Sequence, residues 1–455
     1  MKRQELIRCI ILTGLIFLFA CSERKTPSDT GRRFLFPTPL LFHSRPDIVF
    51  NTTDQQSAKA LNLRIKTPRI NSLNQKPWKR HTIDDSSFGA DGTRICYANA
   101  DSLPDIVTGW EQGNVARLYF NPGKEKLLLP WPYLEVPGLE LEDAFAVDID
   151  SDGFKDIITL SEGEERRITI HWAPSDLEKY KKSNYWLSED IPATIGRKWM
   201  FGIPMDVDNK NGIDLVVGSK KQGGSLGWLE SPPNPRDINK WKYHEISTAG
   251  WIMSIERMDL NHDGHDDILI SDRRGGDHTG VRWLENPGPG SALYKHWNNH
   301  LIGMDDGEPM FLDIADLNGN GLDDIIVPQN KIQEFAVFFQ SSNLIWKRTD
   351  FAFPQFSGER GKAVAVGDID GDGNWDVVST YENAGGKAGV MWTSALFGRN
   401  RRDYNVSGTG GKKFDLILLL DMDGDGDLDI LTSEENSNSA DVKGLGVIWY
   451  ENPSK

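Results

Sequence analysis

Residues 421–429, DMDGDGDLD, place five aspartates in nine positions. Each carboxylate raises the cost of ionising its neighbour, so the stretch needs a reason to exist. Two chemistries supply one: a hard cation held among the oxygens, or aspartates bonding the backbone of a tight turn. A calcium loop needs several oxygen ligands at short spacing, alternate side chains pointing inward and a glycine at the sharp turn. Positions one, three, five and nine here carry carboxylates, and position seven offers a backbone carbonyl. Asp148/Asp150/Asp152/Asp156, Asp368/Asp370/Asp372/Asp376 and Asp421/Asp423/Asp425/Asp429 are complete, each with Gly at position six. Asp259/Asn261/Asp263/Asp267 and Asp316/Asn318/Asn320/Asp324 are softened by amides. These five are candidate Ca²⁺ sites, with the ion in a structural role, and the backbone-bonding turn is the alternative. Two related stretches depart from the pattern. Residues 206–214 place Lys210 at position five, and residues 97–105 begin with Tyr97 and lack the glycine. Neither is expected to hold a cation well, and the Lys210 ammonium is expected to replace the metal with a salt bridge.

The seven stretches begin at Tyr97, Asp148, Asp206, Asp259, Asp316, Asp368 and Asp421, an even spacing that marks an internal repeat. Each copy has an apolar run before the loop, a β-rich run after it such as DIITL or DILIS, and a third run with an aromatic in register. Those aromatics are Phe120, Trp172, Trp228, Trp283, Phe339, Trp392 and Trp449, and two of the runs close as W-x-E-N-P. A short fourth run follows, such as KWKYHEI at 240–246. Four strands in each of seven units predict an all-β, seven-bladed propeller with antiparallel blades. The register aromatics are then core that packs sheet on sheet. The last unit lacks a fourth strand after Trp449, while WKRHTI at 78–83 matches that strand ahead of the first loop. Residues 78–83 are therefore expected to complete the last blade and leave no open edge, in a domain spanning 78–453.

On these loops and strands, residues 78–453 resemble the VCBS/FG-GAP class of propeller repeats. The units are also similar to the propeller of fungal aldos-2-ulose dehydratase and, more distantly, to the propellers of bacterial polysaccharide lyases. The Phe-Gly-Gly-Ala-Pro motif of the integrin-like branch and the cupin domains of the dehydratase are missing.

If the acidic loops join first to second strands, the loops joining second to third strands, and each fourth to the next first, emerge on the opposite face. Loops of several blades converge there at the channel mouth, where propeller ligands usually sit. They mix charged, polar and aromatic residues, as a carbohydrate-type or protein ligand requires. Arg273, Tyr381, Glu382, Glu434, Trp110 and Glu111 are candidate ligand contacts. His278 with Arg274 is a candidate catalytic pair, the imidazole as general base and the guanidinium facing a developing enolate. Two functions stay open: a binding propeller, or a carbon–oxygen lyase or dehydratase eliminating on a keto-sugar or uronate at the same mouth.

The formal net charge of −16 argues against a nucleic-acid partner, which needs a basic surface. Residues 1–20 read as a secretion signal, with the basic leader MKRQELIR and the apolar run CIILTGLIFLFA. Leu18-Phe19-Ala20-Cys21 resembles the lipobox of bacterial lipoproteins, which implies a lipidated Cys21; an ordinary signal peptide is the alternative. Residues 21–77 then read as a flexible tether with one apolar island at 34–42. The expected setting is the bacterial cell envelope, by analogy at the outer membrane, with the propeller in the periplasm or at the cell surface. Of three cysteines, Cys9 falls in the signal and Cys21 at the anchor, so Cys96 is left without a disulfide partner. A monomer is expected.

Overall fold

The computed structural model describes residues 76–99, 101–342, 344–398, 400–435 and 443–454. The signal, lipidation and tether readings, including the apolar island, lie outside the described residues. No described helix is long and apolar enough to cross a membrane.

The described strands form seven four-stranded antiparallel sheets, each in chain order except for the closing exchange in the last. Blade 1 runs from Ala90 to Pro137, blade 2 from Leu141 to Asp190, and blade 3 from Lys198 to Thr248. Blade 4 covers Ile252–Gly303, blade 5 Asp313–Ala352, and blade 6 Arg360–Asn405. Blade 7 combines Phe414–Leu420, Asp429–Glu434 and Gly446–Glu451 with the strand Lys79–Asp84. That strand pairs antiparallel with Gly446–Glu451, Lys79 opposite Glu451 and Asp84 opposite Val447. The closure expected of residues 78–83 is therefore seen, one residue further along.

Burial follows the position of each strand in its blade. The second strands are buried on both faces, as in Asp156–Ser161 and Asp267–Asp272, whereas fourth strands such as Asn298–Gly303 are largely half-exposed or exposed. The first strands of neighbouring blades approach one another, as the parallel bridge between Phe311 and Ala363 shows. Apolar side chains between adjacent sheets make the core; one cluster joins Met200, Phe201, Trp228, Met253 and Phe311 across blades 3 to 5.

The register aromatics are core. Six of them are buried, while Phe339 is half-buried and packs edge-on against Phe397. Their partners explain the W-x-E motif. Trp283 stacks on His300 at 4.3 Å and Trp449 on His81 at 4.3 Å, both partners lying on the fourth strand. The glutamate two residues beyond each tryptophan bonds the same imidazole: Glu285 to His300 at 2.9 Å and Glu451 to His81 at 2.6 Å. Glu230 does the same for His244 at 2.8 Å. The motif thus fastens third to fourth strand from both the face and the edge of one ring.

Candidate functional site

The acidic loops all emerge on one face, between first and second strands. Their ninth position has one role in every loop but that of Asp376, whose Oδ1 is buried without a partner: Asp156 accepts from Ile149 N and Ala173 N, and Asp429 accepts from Met422 N and Asn452 N. Even in the degenerate first loop, Asp105 accepts from Ala98 N and Asn121 N. This buried carboxylate ties the loop to the end of the third strand, which is why it survives where the other acids do not.

The remaining acids do both of the things expected of them. Asp421 accepts from Gly424 N, Asp425 N and Gly426 N, so turn bonding is present. Oxygens of Asp421, Asp423 and Asp425 also lie within 4.8 Å of one another, as do those of Asp148/Asp150/Asp156 and Asp368/Asp370/Asp376. A common centre about 2.4 Å from each oxygen is the geometry of a bound Ca²⁺. Asp148 Oδ1 is buried and accepts no hydrogen bond, which fits a cation on that side. Several loops are therefore capable of coordinating a divalent cation. In the second loop Arg236 adds positive charge, its Nε 2.5 Å from Asp150 Oδ2.

Each complete loop brings oxygens of three of its carboxylates within 4.8 Å of one another, and the fourth lies outside that group. In two of them the omitted residue is at position five. Asp152 stands outside the Asp148/Asp150/Asp156 triad, its Oδ1 accepting from Phe154 N and its Oδ2 from Ser175 Oγ. Asp372 stands outside the Asp368/Asp370/Asp376 triad, its Oδ1 accepting from Asn374 N and Nδ2. Bonding to the turn two residues on does not decide the matter, since Asp425 accepts from Asp427 N in the same way and still converges. In the last loop the omitted residue is Asp429, held by the two backbone N–H groups already named.

Among the described residues the carboxylates of Asp259, Asp263 and Asp267 do not gather as those of the complete loops do, and the loop at 316–324 has only two carboxylates at its ligand positions. Asp259 and Asp316 accept from the turn backbone at Asp263 N with Gly264 N, and at Asn320 N with Gly321 N. Asp263 accepts from His265 N, and Asp267 and Asp324 serve as ninth-position clamps. The amides turn inward as donors, Asn261 to Asp263 Oδ2 at 3.0 Å and Asn318 to Asp324 Oδ2 at 2.9 Å. Asn320, at position five, accepts from Leu322 N and donates Nδ2 to Gln340 O at 2.8 Å, so it braces the turn against the third strand. An N–H aimed at a carboxylate neutralises part of its field, which is what a cation would otherwise do.

The third loop differs in part from its expectation. Asp206, Asp208 and Asp214 converge as tightly as the complete loops, since the shifted glycine does not prevent the turn. The Lys210 ammonium does sit on this cluster, 3.1 Å from Asp208 Oδ2 and 2.9 Å from Tyr294 Oη.

On the opposite face a cavity of about 630 Å³ is lined by residues from all seven blades. The inner strands supply its floor through a recurrent irregularity. Strand register shifts between Asp91 and Thr93, Leu141 and Asp143, Ile252 and Ser254, Gly361 and Ala363, and Phe414 and Ile417. A bulge leaves a residue unpaired and re-aims its side chain. Asp91, Glu142, Met253 and Lys362, at or beside these bulges, all line the cavity.

Lysines bridge the carboxylates gathered there. Lys220 Nζ lies 2.8 Å from Glu142 Oε1 and also pairs with Glu162. Lys362 Nζ lies 3.3 Å from Glu382 Oε1 and 3.6 Å from Asp415 Oδ1, and Lys413 pairs with Glu435. Burial alone would favour the neutral amine of Lys362, but Asp415, Glu382 and Asp91 hold its pKa well above the ordinary value. Burial likewise works against ionised Glu142, yet Lys220 keeps that carboxyl below its usual range. Asp91 is shifted the other way, well upward, by burial and then by Asp415 and Glu435. Glu111 is pushed up to about 7 by burial and by Glu142 and Glu435. Blades 7, 1 and 2 therefore present an acidic, partly protonated arc.

Blades 3 and 4 present a basic arc around one indole. The Trp251 ring centroid lies 3.9 Å from the Arg273 guanidinium, 4.7 Å from that of Arg274 and 4.3 Å from Lys220 Nζ. Buried Asp272 sets this arrangement by accepting from Gly250 N, Trp251 N and Arg274 N. Gly250 is required there, since a Cβ would lie 2.0 Å from the Arg274 carbonyl oxygen.

Of the residues singled out from sequence, Glu111, Arg273, Arg274 and Glu382 line the cavity together. Trp110, Tyr381, Glu434 and His278 are not among its lining residues. Trp110 is buried with its Nε1 donating to Tyr119 Oη, and Tyr381 is buried with its hydroxyl on Ser379 Oγ. Glu434 is buried and accepts from the backbone of Lys412, Lys413 and Leu445. His278 closes a short turn, Gly276–His278, beside the mouth. The inner-strand residues Asp91, Glu142, Lys362 and Asp415 escaped notice, although each stands six positions ahead of its acidic loop.

Residues 259–327, spanning two acidic loops, match the family described as FG-GAP-like repeat. No curated protein matches the chain. Similar solved structures include BBS1N in complex with ARL6DN, soaked with mercury, at 11% identity over 84% of this chain and 98% of that one, TM-score 0.47. An Agrocybe aegerita lectin that recognises non-reducing terminal N-acetylglucosamine is 16% identical over 70% of this chain and 82% of its own, TM-score 0.39. The chain is a seven-bladed β-propeller with an FG-GAP-type repeat segment and acidic clusters able to hold metal.

Proposed function

We propose that this protein is an exported, membrane-tethered propeller that binds a carbohydrate-type ligand in the seven-blade mouth, with Ca²⁺ stabilising the acidic loops on the other face. The observation that carries the reading is the cavity of about 630 Å³, where charged donors and acceptors surround the accessible Trp251. Sugars need hydrogen bonds in both directions and a flat apolar surface, and the volume suits a small molecule. Trp251→Ala is expected to lower affinity for a bound glycan by about 10–100-fold, the range of one stacked aromatic contact with its hydrophobic area. The melting temperature should stay within a few degrees of wild type. A glycan panel read by calorimetry tests this; if no glycan binds, a protein-binding scaffold replaces the reading.

One observation favours a second, enzymatic reading. Glu111, pushed up to about 7, has the proton affinity of a general base at neutral pH, and it lines the cavity where His278 does not. Turnover of a keto-sugar or uronate that disappears in Glu111→Gln and persists in His278→Ala would establish elimination at this site.

A further inference from the structure

The two arcs of the mouth differ in how far their charges are already answered. Lys220, Lys362, Lys413 and Arg274 each have a carboxylate within 4.0 Å; for Arg274 it is Glu308, at 3.3 Å. Among the described residues Arg273 has none. Its Nη1 reaches only the Met310 sulfur at 3.4 Å, and its Nε is buried without a partner. Burial and the adjacent Arg274 both disfavour its charge. Removing a guanidinium from water without an acid beside it is costly, and a second cation against the same indole adds repulsion. Lys221, which also lines the cavity, approaches that ring to 5.6 Å and has no ion pair among the described residues. On the acidic arc lysines sit on Glu142, Glu162, Asp415 and Glu435, while Asp91, Glu111 and Glu435 bring oxygens within 4.8 Å of one another and Asp91 holds its proton more tightly than an ordinary acid.

We infer that the basic arc is an oxyanion subsite: the ligand is a hydroxylated, sugar-like molecule carrying a carboxylate or sulfate, seated on Arg273 and Lys221 beside Trp251. A guanidinium matches the planar, two-oxygen edge of either group, and the bond is charge-assisted. The hydroxyls then face the partly protonated acids of the other arc, which donate as well as accept. A protein of net charge −16 thus keeps one concave patch for an anion. This assignment rests on the mouth being a sugar site, and it says which sugars enter.

Matched pairs test it by calorimetry on the full propeller: glucuronate and galacturonate against glucose and galactose, and a sulfated hexose against its parent. The acidic member is expected to bind at least 10-fold more tightly, and the pair with the larger gap identifies carboxylate or sulfate as the group selected. Arg273→Met should bring the acidic sugar down to the affinity of its neutral parent and leave the parent unchanged. With wild-type protein alone, inorganic sulfate should compete with the acidic sugar and not with the neutral one. Equal binding of both members, with both lost in Trp251→Ala, overturns the oxyanion subsite and leaves the mouth reading standing. If neither member binds, both readings fall.

Discussion

Removal of residues 76–84 is expected to abolish cooperative folding of the propeller. Lys79–Asp84 supplies the outer strand of blade 7, and Trp78 anchors it by packing on Trp392 at 6.1 Å and donating its backbone N–H to Val406 O. Ile83 is buried, and Asp84 closes a link to blade 1 through Arg117 Nη1 at 2.6 Å and Tyr119 Oη at 2.7 Å. Losing a strand ladder, two buried apolar side chains and a buried ion pair costs about 5–10 kcal/mol, comparable to the whole stability of a typical domain. Near-UV circular dichroism and guanidinium unfolding check this. A truncated protein with the wild-type transition would show that the ring does not depend on its closing strand.

The second large effect concerns cations and pH. Burial first, with neighbouring acids adding, pushes Asp156 up to about 8 and Asp376 and Asp429 to about 7. Their ordinary value is 3.8, so between about pH 4 and 8 the ion-free folded state holds protons that the unfolded chain has released. Stability from these groups is then fully present below pH 4 and is lost as pH rises through 7 to 8. A divalent cation bound by Asp156 or Asp376 removes their penalty by stabilising the ionised form. Ca²⁺ is therefore expected to raise the melting temperature by several degrees at pH 8 and much less at pH 5, about 1–3 kcal/mol for each loop saturated at 10–100 times its Kd. Asp421→Asn with Asp423→Asn and Asp425→Asn should remove one loop's share. A melting temperature indifferent to chelator at pH 8 would leave the aspartates as turn-formers only.

The fold was legible because its signals are local and repeated. Alternating aspartates, the aromatic three strands along and the W-x-E ending each mark a fixed place in every blade, and even the strand exchange at residues 79–84 follows from a missing neighbour after Trp449. The acidic loops were legible as loops and less so as ligand sets. Position five carries an oxygen in each candidate, but its turn bond does not set whether it joins the shared centre: Asp152, Asp372 and Asp425 all accept from the backbone N–H two residues on, and of these only Asp425 converges. The mouth was legible only in part. Loop position pointed to Glu111, Arg273 and Glu382, but Trp110 and Tyr381 stand at strand ends whose side chains turn into the core. Glu434 has the composition of a ligand contact and the role of a backbone clamp. Sequence gives a residue's address in the blade and not the direction a bulge turns it. That is why Glu142 and Lys362, lying in the first strands and reading as ordinary strand residues, were missed. His278 has the residue type of a general base, but it lies in the turn Gly276–His278 and is not among the residues lining the cavity.

Hydrogen–deuterium exchange on the wild-type protein, with and without a saturating acidic sugar, tests most directly which face holds the ligand. The account predicts slowed exchange confined to the mouth segments 109–112, 220–224, 250–253, 272–275 and 360–362. The loops 148–156, 368–376 and 421–429 should be unchanged by the sugar and should respond to Ca²⁺ alone. Protection by sugar at those acidic loops, with the mouth segments exchanging as before, would contradict it.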